Sequence, residues 1–134
     1  MSAKDSLHLL GIIFIVFILL ACTHSGNNSK SSDPSGKIQF DLSQLNDEGL
    51  YGPPYGLRGL SYEFCIPADE HFVSEVQSID STLSIQSDSK GGIGCSESEY
   101  LCVGNSHQKN YRQVLLRLAG LEYVEKIEQS FFEN

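Results

Sequence analysis

From residue 60 onward the apolar positions fall into an ordered series of periods, and that order limits the folds open to the chain. Residues 60–66 (LSYEFCI) alternate, with Leu60, Tyr62, Phe64 and Ile66 on one face and Ser61, Glu63 and Cys65 on the other. Such alternation predicts a half-buried strand, which Pro67 ends. Residues 68–79 place Phe72, Val73, Val76 and Ile79 at helical spacing, with Asp69 and Glu70 in the first turn, where carboxylates favour a helix start. A second strand is expected over 82–86, with Leu83 and Ile85 inward. The turn-rich stretch 87–94 (SDSKGGIG) then breaks the chain. Residues 99–103 (EYLCV) predict a third strand, Leu101 and Val103 on one face, Tyr100 and Cys102 on the other. A second helix over 108–119 aligns Tyr111, Val114, Leu115 and Leu118, and Gly120 closes it. The final stretch has both helical and strand character. After a glycine stop, a fourth strand over 124–132 is the better reading, because it covers an edge otherwise left open.

The order β-α-β-β-α-β resembles the ferredoxin-like split βαβ fold. That resemblance implies an α+β domain over 60–134: a four-stranded antiparallel sheet, strand order 4-1-3-2, with two helices on one face. The strings SYEFCIP, YLCVG and VLLRLAGLEYVEKIE are also similar to a set of small bacterial proteins to which no activity is attached.

The N-terminal part of the chain speaks of location. Residues 9–21 (LLGIIFIVFILLA) are thirteen apolar positions without a charge, short of the roughly 20 that span a bilayer. They suit the apolar region of a secretion signal. Leu19-Leu20-Ala21-Cys22 follows directly and resembles the lipobox of bacterial lipoproteins. The resemblance implies cleavage before Cys22, acylation of its thiol, and a cell-envelope protein anchored in the membrane by its acyl chains. Thr23 after the cysteine resembles an outer-membrane destination where a cell has two membranes. Removing residues 1–21 from 134 leaves 113, enough for one small domain. Residues 22–37, rich in Ser, Gly and Asn and lacking large apolar side chains, are expected to form a flexible tether. Residues 38–59 read as an extended arm interrupted by Pro and Gly. Within it Tyr51-Gly52-Pro53-Pro54-Tyr55-Gly56 cannot be helix or central strand. Tyr51, Pro53, Pro54 and Tyr55 are therefore a candidate contact surface, or else an arm whose rings cover a core edge.

Nine Lys and Arg against 17 Asp and Glu give a net charge of −8, which argues against nucleic acid as a partner. With Cys22 acylated, an exported chain keeps three thiols, enough for one disulfide. In the resembled topology the first and third strands are neighbours, which implies a Cys65–Cys102 bridge. Cys95–Cys102, Cys65–Cys95 and no bridge remain open. Cys65, Cys95, Cys102 and His107 also have the donor types of a zinc site, but their spacing lacks a close cysteine pair. Gly91-Gly92-Ile93-Gly94 lacks the context of a phosphate loop. No catalytic constellation stands out and no cofactor is expected. The reading is a lipid-anchored envelope protein, a small protein-binding or adaptor module. The alternatives are a zinc-binding or thiol-dependent module and a purely structural envelope protein.

Overall fold

Seven consecutive residues, four of them buried, form a central strand of the sheet. The structure, a computed structural model, describes residues 32–131. β1 (Leu50–Tyr51) and β2 (Arg58–Gly59) make a two-stranded antiparallel ribbon. It is followed by β3 (Ser61–Pro67), α1 (Glu70–Ile79), β4 (Ser84–Gln86), β5 (Glu99–Asn105), α2 (Tyr111–Ala119) and β6 (Glu128–Gln129). The last four strands form one sheet, order β4-β5-β3-β6, with every neighbouring pair antiparallel. The described residues are therefore α+β, with two α-helices, a four-stranded sheet and the small ribbon. No helix among the described residues is long and apolar enough to cross a membrane.

The core follows from the alternation of β3. Tyr62, Phe64 and Ile66 are fully buried and share one apolar cluster with Leu60, Val76 of α1, and Leu115, Leu118 and Ala119 of α2. α1 starts where the Asp69 carboxylate accepts the His71 N–H at 2.7 Å, satisfying one of the free donors of the first turn. α2 starts at Asn110, which adopts the left-handed conformation at φ 56°, a geometry that Asn tolerates better than most residues.

Beyond shifts of two or three residues at element ends, three regions differ from those expected. The fourth strand shrinks from 124–132 to Glu128–Gln129, because the backbone just before it is engaged elsewhere. The Ile127 N–H donates to the Lys37 carbonyl (2.8 Å) and the Gln39 N–H to the Ile127 carbonyl (2.9 Å). Ordered structure also begins before residue 38. Asp33 caps a 3₁₀ turn at Pro34–Lys37, and the Lys37 ammonium donates to the Leu121 carbonyl at 2.9 Å. The last residues of the expected tether thus belong to the folded body, while residues 22–31 lie outside the described residues. The arm, finally, is less extended than its composition suggests: it holds a second 3₁₀ turn (Leu42–Gln44), the buried Leu45 and the ribbon.

β5 starts where expected, runs two residues past the expected 99–103, and is read wrongly in orientation. In register, Phe64 lies opposite Cys102, and Cys65 opposite Leu101. Directly opposed residues share a face, so Cys102 points toward the helices while Leu101 and Val103 point away. Leu101 is nonetheless 2% exposed, because Gly91 of the 87–95 loop lies against it.

Candidate functional site

The Tyr-Gly-Pro-Pro-Tyr segment is the tip of the β1–β2 ribbon. Its prolines lack N–H donors, so the turn closes with the Gly56 N–H donating to the Pro53 carbonyl at 2.9 Å. Gly52 sits at φ 112°, where a Cβ would come within 2.9 Å of the Gly56 oxygen; only glycine fits there without strain. The two tyrosines divide the two readings between them. Tyr51 is half-buried and packs on the core edge, with the Arg58 guanidinium 5.1 Å from its ring centroid. Tyr55 stands in solvent at 94% exposure, flanked by exposed Pro53 and Pro54.

Leu57 and Phe131 are also exposed, at 45% and 83%. A groove of about 220 Å³ runs between Tyr51, Arg58 and Gly59 on the ribbon and Gln129 of β6 with Phe131 just after it. Of the four large apolar side chains exposed among the described residues, three (Tyr55, Leu57 and Phe131) therefore belong to the ribbon or to the strand end across this groove. Sequence reasoning found Tyr51, Pro53, Pro54 and Tyr55 through their turn chemistry. It missed Leu57, Arg58 and Phe131; Phe131 entered only as part of the expected strand over 124–132.

The cysteines require a correction. Cys65 is bonded to Cys95 (Cα–Cα 5.6 Å), not to Cys102. Cys102 lies on the opposite face of the sheet, fully buried, with its thiol pushed up to about 12 by burial. Neither Cys65–Cys102 nor Cys95–Cys102 can form across the sheet, so a zinc set of Cys65, Cys95, Cys102 and His107 is not brought together. The His107 Nδ1 instead lies 3.1 Å from the Glu48 carbonyl oxygen. A Glu99 carboxylate oxygen lies within 4.8 Å of both bridged sulfurs, but a disulfide offers no thiolate to a metal. The cleft beside Cys65, Ile93 and Glu99 encloses only about 80 Å³.

A buried polar network lies within the core. The Tyr62 hydroxyl donates to Asp80 Oδ2, and both residues are fully buried. Asp80 Oδ1 accepts from the Thr82 N–H (2.8 Å), the Thr82 hydroxyl (2.7 Å) and the Gln108 amide (3.0 Å). Burial foremost, then the Asp80 charge, raises the Tyr62 pKa above its ordinary value. No buried side-chain oxygen or nitrogen among the described residues lacks a partner, so this network joins α1, β3 and the start of α2 and leaves no free group to act on a substrate. The Gly91-Gly92-Ile93-Gly94 stretch, with no phosphate-loop context, folds across the outer face of the sheet. There the Ile93 N–H donates to Glu63 Oε1 at 2.6 Å.

No family model matches the chain, and neither does any curated protein or solved structure.

Proposed function

We propose that the chain is a lipid-anchored cell-envelope protein whose folded body is a protein-binding module, with the β1–β2 ribbon as its contact surface. The observation that carries this reading is that Tyr55 and Leu57 stand in solvent on the ribbon, while Phe131, also in solvent, lines a groove together with the ribbon's Tyr51 and Arg58. Scattered exposed apolar residues need no explanation, whereas grouped ones mark contact sites. Tyr and Arg are the side chains that most often anchor protein interfaces. Attachment through acylated Cys22 and an outer-membrane destination by Thr23 rest on the lipobox; both residues lie outside the described residues. As to architecture, the antiparallel order β4-β5-β3-β6 and the single core shared by both helices favour the ferredoxin-like split βαβ arrangement. That fold hosts many functions and names none.

The test is site-specific photocrosslinking of the full chain in the envelope of a bacterial cell. A photoreactive residue at position 55 is expected to give one discrete adduct. The same residue at Ser78, on the exposed part of α1, is expected to give none, and Arg58→Glu to abolish the adduct at 55. Equal labelling from both positions, or none from 55, ends the proposal.

A further inference from the structure

Glu63 lies on the sheet face turned away from the helices, where its alternation with Tyr62 and Phe64 predicts a wet side chain. It is instead 2% exposed. Its Oε1 accepts the Ile93 N–H at 2.6 Å, but Oε2 has no hydrogen-bond donor among the described residues. Since no fully enclosed side-chain oxygen in them lacks a partner, Oε2 reaches solvent through the cavity beside it. That cavity has a volume of about 200 Å³ and is walled by Gln86, Ser89, Gly91, Leu101 and Val103. At about 30 Å³ per water this is space for six or seven waters, or for one short aliphatic chain.

Glycine keeps the carboxylate open. A Cβ at Gly91 would lie 3.0 Å from Glu63 Oε2 and 2.7 Å from a Leu101 methyl, and its φ of +61° disfavours any other residue. Cation supply from the chain itself is poor. The residues opposite Glu63 are Val103 and Glu128, and Glu128 already binds Lys126. No Lys or Arg lines the cavity. A buried carboxylate with one short hydrogen bond and one open oxygen calls for a charged donor. A single carboxylate among hydroxyl and amide groups is too few ligands for calcium, which takes six to eight oxygens. Leu101 and Val103 offer apolar walls to a stem.

The geometry points to this cavity as a binding site for an ammonium group on a short aliphatic stem, either a free alkylamine or a lysine side chain. The inference does not depend on the ribbon as a contact surface; each stands or falls alone.

The probes are n-butylammonium chloride, Nα-acetyl-lysine N-methylamide and, as the neutral control, n-butanol, titrated into the full chain at constant ionic strength. The readouts are the NMR signals of the Leu101 and Val103 methyls and the Ile93 amide. At least one amine is expected to give saturable shifts at these three positions, with none from butanol. A response to butylammonium alone assigns a small-molecule site, and a response to the lysine probe assigns a side-chain site. Glu63→Gln keeps an acceptor for the Ile93 N–H through its amide oxygen and should weaken binding at least tenfold. Should that variant not fold, Gly91→Ala, which fills the cavity while Cys65–Cys95 still holds the loop, is expected to lose the response. The proposal is overturned if neither amine saturates, if butanol does as well, or if a folded Glu63→Gln or Gly91→Ala binds as the parent does; the cavity then holds water only.

Discussion

Cys65 and Cys102 sit on neighbouring strands yet behave as opposites, because one faces the loop and the other the core. The Cys102 thiol, pushed up to about 12 by burial, is at pH 8 ionised about a thousandfold less than an ordinary thiol near 8.5. Iodoacetamide at pH 8 should therefore leave Cys102 unmodified in peptide maps of the native protein and modify it fully in denaturant; native labelling at a normal rate would show that Cys102 does not face the core. Tyr62 gives a pH prediction of defined sign. Its folded pKa is raised, foremost by burial and then by Asp80, so the folded state keeps a proton that the unfolded state releases above about pH 10. This contribution is complete below about pH 10 and is lost as pH rises further, at up to about 1.4 kcal/mol per pH unit. Tyr62→Phe should cost about 1–3 kcal/mol at neutral pH by removing the donor to Asp80 Oδ2. It should also flatten the decline measured by denaturant unfolding between pH 10 and 11; an unchanged slope would mean that other groups cause it. None of this network was legible in the sequence, where Tyr62 counted only as an apolar strand position and Asp80 was not singled out.

Both helices and the strands β3 and β4 were legible because each presents one mainly apolar face to the core, and a single such face imposes a readable period. β5 misled for a physical reason: it is covered on both sides, by the helices and by the 87–95 loop, and a strand buried twice loses the contrast that tells its faces apart. The loop itself gave only turn signals. Nothing in Ser-Asp-Ser-Lys-Gly-Gly announces that it folds back over Leu101 and Glu63, and so the cavity there was invisible as well. What ties the loop down is the Cys65–Cys95 bridge with the Ile93–Glu63 hydrogen bond. Closing the chain across a sequence separation of 30 is worth about 3–4 kcal/mol in the chain-entropy model. The double variant Cys65→Ser/Cys95→Ser should lose about that much in urea unfolding. Hydrogen exchange should quicken in the loop before it does in β3. A loss below about 1 kcal/mol would mean that the loop stays seated without its bridge.

At the scale of the whole molecule, charge works against the fold. Residues 32–134 carry seven Lys and Arg against sixteen Asp and Glu, a net charge of −9. Only two ion pairs occur among the described residues, Lys90–Glu97 at 3.7 Å and Lys126–Glu128, and the first is largely exposed. Exposed pairs contribute about 0–1 kcal/mol each, whereas the surplus carboxylates repel one another across a body small enough for most of them to interact at low salt. The Debye length falls from about 30 Å at 0.01 M to about 8 Å at 0.15 M, so salt screens this long-range repulsion more than it weakens two contact pairs. Raising sodium chloride from 0.01 to 0.3 M should therefore raise Tm by about 2–5 °C, taking roughly 4–8 °C per kcal/mol for a domain of this size. The same surplus of negative charge favours cationic groups on whatever the ribbon or the Glu63 cavity meets, with association slowing as salt rises. A Tm that falls with salt in calorimetry would mean that attractive pairs outweigh the net repulsion, and the acidic surface would then no longer argue for a basic partner.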